Sequence, residues 1–263
     1  MNRIDHWRQS QKKGLFVYLM AGYPTLSLTV PLMEAVAKGG ADLIELGMPF
    51  SDPIADGPVI QKAGEVALTQ GTGVDEVLAT VAQFRKRYEQ TPVVLMGYAN
   101  PVAAMGYDRF AIKAAEAGVD AVLIVDLPPF REEEKYFLQH GIYPIHLLAP
   151  TSSEARIQEI ATKSQGFIYY VALKGVTGAQ NAALDTIVPK VTMIKRYTSL
   201  PVAVGFGIKE AHDAAAIADV ADAVVVGTRL VQIAAIESDA ETILKKTESF
   251  VRALKTAINK GEA

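Results

Sequence analysis

Eight short runs of almost unbroken apolar residues, separated by stretches of helical periodicity, constrain this chain more than any other feature. They are Leu15 to Gly22, Leu43 to Leu46, Pro92 to Asn100, Ala121 to Asp126, Tyr143 to Ala149, Gly166 to Leu173, Pro201 to Gly205 and Ala223 to Gly227. Side chains alternate across a strand, so a run that is apolar at successive positions must be covered on both faces. Eight such strands alternating with helices point to a (β/α)8 TIM barrel rather than an open sheet. No Gly-x-Gly-x-x-Gly opens a helix after the first run, so the dinucleotide fingerprint of the open sheet is absent. Residues 1–263 are expected to form one TIM-barrel domain with extra helices. Ile60 to Leu68 and Val74 to Tyr88 both have helical spacing between the second and third strands. Ile4 to Lys12 reads as a short amphipathic helix whose Ile4 and Trp7 anchor it against one end of the body. A last helix over Ser238 to Lys260 gathers Ile243, Leu244, Val251, Leu254 and Ile258 on one face.

The charge balance narrows the partners. A net charge of -3 from 26 basic and 29 acidic residues, with no long like-charge run, leaves no electrostatic footprint for nucleic acid or an anionic membrane. No run is apolar for long enough to span a bilayer, and the polar start Met1 to Arg8 is unlike a signal peptide, so a cytoplasmic protein is expected. Without cysteine there is neither a thiolate metal site nor a thiol nucleophile, and the four histidines lack ligand spacing. No metal and no cofactor is expected. His146, between apolar residues of the fifth run, reads as a packed core histidine.

One acid breaks the apolar pattern. Glu45 sits inside the second run, where an ionised carboxylate costs several kcal/mol, roughly, unless the site uses it. Downstream, Pro49, Pro53 and Pro58 exclude a regular helix, and Asp52 and Asp56 lie on the resulting loop between Gly47 and Gly57. In a TIM barrel, sites form at the carboxyl ends of the strands, which is where Glu45, Asp56, Asn100, Asp126 and Tyr169 collect. Glycines gather at the last three strand ends, as Gly175 to Gly178, Gly205 to Gly207, and Gly227 before Thr228. Backbone N–H groups at such turns, with a short helix at Arg229 to Ala234, can hold a phosphate ester.

The stretch Ala41 to Pro58 resembles the signature of the tryptophan synthase alpha chain family, and the likeness extends over essentially the whole sequence. That resemblance implies a catalytic pair of Glu45 and Asp56, an active-site Tyr169, and a phosphate grip of Gly178, Gly207, Gly227 and Thr228. It implies an indole pocket lined by Tyr18, Met96, Leu123, Leu147 and Phe206, and gives Asn100 and Asp126 family positions. Thr228 stands where a serine is common, and Ala172-Leu173-Lys174 departs from the family's usual residues. The implied reaction is the reversible retro-aldol cleavage of indole-3-glycerol phosphate to indole and glyceraldehyde 3-phosphate. The implied partner is a pyridoxal-phosphate beta chain in an alpha2-beta2 heterotetramer, docked against Pro49 to Asp56 and Asn100-Pro101. Gly175 and Gly178 frame a weakly anchored loop, expected to close on phosphate and bring Thr177 to Asp56.

Two other readings remain open on the sequence. Lys174, at the end of the sixth run, suits a Schiff-base aldolase, although its strand parity is opposite to that of Tyr169. The chain could also serve chiefly as a binding or regulatory subunit.

Overall fold

The computed structural model describes residues 2–10, 12–172, 180–237 and 239–259, with side chains of the helix that begins at Gln180 described from Leu184 onward. Lys174, Gly175, Thr177 and Gly178 lie outside the described residues. The strands are β1 (Gly14–Met20), β2 (Leu43–Gly47), β3 (Val93–Gly97), β4 (Ala121–Ile124), β5 (Tyr143–Pro144), β6 (His146–Leu148), β7 (Ile168–Val171), β8 (Val202–Gly205) and β9 (Ala223–Val226). The helices are α1 (Arg3–Gln9), α2 (Leu26–Gly39), α3 (Pro58–Thr69), α4 (Val74–Arg85), α5 (Ala99–Met105) and α6 (Tyr107–Ala117) in the first half. The second half adds α7 (Glu134–Gln139), α8 (Glu154–Lys163), α9 (Gln180–Lys195), α10 (Ala211–Ala218), α11 (Thr228–Ile236) and α12 (Ala240–Asn259). The expected extra helices are α1 and the α3–α4 pair, and a second pair, α5 and α6, separates β3 from β4.

Every strand pairing is parallel, in the order β5-β4-β3-β2-β1-β9-β8-β7-β6. The two ends of that order are halves of the fifth apolar run. Tyr143 and Ile145 donate their N–H groups to the carbonyls of Asp120 and Val122 at 3.0 and 2.8 Å, whereas His146 to Leu148 pair with Ile168 to Tyr170. The chain thus leaves one edge and joins the other at Ile145, and this closes the TIM barrel.

Alternation along each strand sorts the apolar residues into two layers. Leu15, Val17, Ile44, Leu46, Val93, Leu95, Ile168 and Tyr170 point outward into one large cluster with the helices. Phe16, Leu43, Val94, Ala121, Leu123, Phe167, Tyr169, Ala203, Ala223 and Val225 point inward and fill the barrel. The lower end of this filling is stoppered by α1. Asn2 caps that helix by accepting from the Ile4 N–H at 2.9 Å, and Ile4 and Trp7 drop into the inner cluster. Trp7 meets Phe16 edge-on at 4.9 Å, and Phe16 meets Phe167 at 5.0 Å. Gly14 is required beneath them, because a Cβ there would lie 2.6 Å from the Trp7 ring. A nearly buried Asp120 braces the same end by accepting from Arg85 at 2.7 Å, Arg3 at 3.0 Å and the Val93 N–H at 2.8 Å. The last helix packs on α2 and α10, burying Ile243, Val251, Leu254 and Ile258 on one face, as its periodicity requires. With one end stoppered and the sides sheathed, the carboxyl ends of the strands are left to form a site.

Candidate active site

Glu45 points inward from the middle of β2, between Tyr18 of β1 and Val94 of β3 in register. Its neighbours Ile44 and Leu46 are committed to the outer cluster, so the alternation leaves the carboxyl no direction but the barrel interior. It is completely buried, and neither carboxyl oxygen has a hydrogen-bond partner among the described residues. An unpartnered charge cannot be held there, and burial pushes the Glu45 carboxyl up from 4.5 to about 8. At neutral pH Glu45 is a neutral acid with a proton to give.

The second carboxylate arrives on the loop after β2. The Met48 N–H donates to the Met96 carbonyl at 2.7 Å, tying the start of that loop to β3. Its end is fixed by the Asp56 N–H donating to Pro53 at 3.1 Å and by Gln61 Nε2 donating to the Asp56 carbonyl at 2.8 Å. Pro58 at the first position of α3 then starts the helix. Asp56 is half-buried; burial raises its carboxyl above the usual range, and a hydrogen bond from the Tyr98 hydroxyl pulls it back. Asp52, by contrast, is exposed and takes the Ser51 hydroxyl at 2.5 Å.

Glu45 and Asp56 line one cavity of about 410 Å³, together with Tyr18, Met96, Tyr169, Phe206, Gly207, Gly227 and Thr228. Tyr18 and Tyr169 are both buried there. Burial, and then Asp56 and Glu45, raise the Tyr18 hydroxyl far above its ordinary value. Burial, Glu45 and Tyr18 do the same to Tyr169. Both phenols therefore stay protonated and act as donors. Two glycines make room for them: a Cβ on Gly47 would fall 2.2 Å from the Tyr18 hydroxyl, and one on Gly205 would fall 3.0 Å from that of Tyr169. Gly227 has a packing role besides any ligand contact, since its Cβ would meet that of Tyr18 at 2.9 Å. It is also the N-cap of α11, whose first N–H groups lack intrahelical acceptors and suit an anion beside Gly207 and Thr228.

Not every expected residue lies on this cavity. Leu123 is fully buried in the inner cluster, in register with Met96 of the cavity wall, and Leu147 lines a separate cavity of about 270 Å³ with Val125 and His146. Both belong to the packing around the site, because the inner face of a barrel strand serves filling and cavity alike. Asp126 and Asn100 are exposed on the rim, where Asp126 accepts from the Ala99 N–H at 2.7 Å and so caps α5. Thr177 and Gly178 lie outside the described residues. His146 is a core histidine, held by Ser164 at 2.7 Å and Glu134 at 3.0 Å. The sequence reasoning missed Ile60, Val171, Ile208 and Val225, which complete the apolar lining, and Tyr98, the partner of Asp56. Tyr98 had one visible signal, a hydroxyl at the carboxyl end of a strand. A larger depression of about 720 Å³ lies at the stoppered end, but its lining is engaged in the structure: Lys195 bonds Asp222 at 2.7 Å and Lys13 bonds the Ala221 carbonyl at 2.8 Å.

Known proteins resemble this chain over nearly its whole length. The family profile described as tryptophan synthase alpha chain matches residues 4–259. The tryptophan synthase alpha chain of Cupriavidus taiwanensis is 51% identical over 253 residues, covering 95% of this chain and 94% of the relative. That of Nitrosococcus oceani is 49% identical over 263 residues, covering 99% and 97%. Among solved structures, tryptophan synthase subunit alpha from Legionella pneumophila superposes with a TM-score of 0.89 at 42% identity and 99% coverage of both chains. A likeness this long and even, in sequence and in fold, makes the chain a member of the tryptophan synthase alpha chain family.

Proposed function

We propose that Glu45 and Asp56 are the pair through which this chain carries out the family's alpha reaction, the reversible retro-aldol cleavage of indole-3-glycerol phosphate to indole and glyceraldehyde 3-phosphate. Carbon 3 of an indole is a poor leaving carbanion, so the ring must first become an electron sink. Glu45 donates its proton to carbon 3, giving an indolenine with a cationic ring nitrogen. Asp56, as a carboxylate, stabilises that nitrogen. The Glu45 carboxylate then takes the proton of the side-chain hydroxyl. The carbon–carbon bond breaks, its electron pair returns to the ring as indole, and the hydroxyl carbon becomes the aldehyde. Glu45 ends with the proton it began with.

The observation that supports this reading is the buried Glu45 carboxyl, without a partner among the described residues and titrating near pH 8, in a cavity shared with an acid of quite different surroundings. Tyr18, Met96 and Phe206 flank the ring, with Leu123 and Leu147 packed behind them, and Tyr169 closes the inner side. Gly207, Gly227 and Thr228 hold the phosphate at the start of α11. The rate should fall as pH rises through about 8 and Glu45 loses its proton. Indole release that stays flat to pH 10 would count against this assignment.

An alpha chain implies a beta chain partner. The heterotetramer, with docking through Pro49 to Asp56 and Asn100-Pro101, is part of the proposal, as are the single barrel domain over residues 1–263 and a cytoplasmic setting. Ile54, 83% exposed at the tip of that loop, supports the choice of face. Among the described residues, no helix is long and apolar enough to cross a membrane.

A further inference from the structure

Asp56 is carried by a loop, and a loop acid needs an anchor if its carboxylate is to meet a ring nitrogen at a set angle. Tyr98 supplies one. It follows the last residue of β3, is 3% exposed, and its ring lies against Phe50 with centroids 5.3 Å apart. Its hydroxyl accepts from the Ala55 N–H at 3.1 Å and reaches the carboxylate of the next residue, Asp56. One oxygen thus grips both the backbone and the side chain of the catalytic end of the loop, from a strand end that the barrel holds rigid.

We propose that Tyr98 is the positioning residue of Asp56, orienting its carboxylate toward the ring nitrogen while making no contact with the substrate. The inference rests on the assignment of Asp56 to the stabilisation of that nitrogen. It also has an electrostatic side. The Tyr98 hydrogen bond favours the ionised acid against the burial that disfavours it, so losing the hydroxyl raises the pH at which Asp56 takes up a proton.

The test is Tyr98→Phe, which keeps the ring on Phe50 and deletes only the hydroxyl, assayed by indole release across the acid limb of the pH profile. The expected result is a fall in kcat of about tenfold with KM changed by less than about twofold, and an acid limb displaced to higher pH. In an Asp56→Asn background the same substitution should change the residual kcat hardly at all. A difluorinated tyrosine at the same position, a stronger donor of nearly the same shape, should move the acid limb the other way. It keeps the test available if the phenylalanine variant does not fold. An unmoved acid limb, or an equal loss of kcat with and without the Asp56 carboxylate, would overturn the positioning role and leave the assignment of Asp56 standing. Full turnover by Asp56→Asn would overturn that assignment, and the role of Tyr98 with it.

Discussion

Replacing Glu45 by glutamine should make the protein more stable, increasingly so as the pH rises. In the folded chain the carboxyl keeps its proton to about pH 8, whereas in the unfolded chain it releases it near 4.5. Where the folded state alone holds the proton, each rise in pH favours unfolding. The contribution of Glu45 to stability is therefore complete below the unfolded value and is lost as pH rises toward the folded one. At about 1.4 kcal/mol per pH unit, the interval from 4.5 to about 8 amounts to about 5 kcal/mol, of which about 4 kcal/mol develops between about pH 5 and about pH 9. Glutamine has nearly the same shape and no proton to lose, so Glu45→Gln should be free of this dependence. Urea unfolding of parent and variant at a series of pH values reads the difference directly, since other titrating groups are common to both. The stability gap between the two should widen by about 4 kcal/mol over that range. A gap that stays constant to within about 1 kcal/mol would show that Glu45 titrates alike in both states, and would refute the reasoning from burial.

Gly47→Ala should displace the Tyr18 hydroxyl, which lies 2.2 Å from the new Cβ position, and cost about 1–3 kcal/mol in urea unfolding together with a lower kcat. Gly207→Val should raise KM by crowding the phosphate beside α11 and also lower the melting temperature, because Gly207 has a φ of +22° that a β-branched residue adopts only under strain; binding of glycerol phosphate by calorimetry reads the crowding. Sedimentation of the chain mixed with a beta chain should show a larger complex, and Ile54→Glu should weaken it.

Much of the barrel was legible because burial on both faces writes itself as continuous apolar runs, and seven of the eight runs became single strands. The fifth run divides at Ile145, where the sheet closes on itself. A closure point has no composition of its own, so the run from Tyr143 looked like any other. Glu45 was legible for the opposite reason: an acid in a fully buried run has no structural use for its charge. Leu123 and Leu147 show the limit. A run apolar at every position does not say which inward side chains reach open space: Leu123 is fully buried beside its register partner Met96, and Leu147 lines a neighbouring cavity. Asp126 accepts from the Ala99 N–H at the start of α5, a capping contact that an acid at a strand end suits as well as it suits chemistry. Tyr98 was hidden because its partner is brought to it by a loop whose path only the folded chain defines.

Indole release from indole-3-glycerol phosphate by the parent chain and by Glu45→Gln, under saturating substrate, is the most direct test of Glu45 as the proton carrier. The parent should release indole, and the variant should lose about a thousandfold in kcat while KM changes little, because the amide preserves shape and removes the proton. Parental turnover by Glu45→Gln would contradict the mechanism, whatever else the cavity binds.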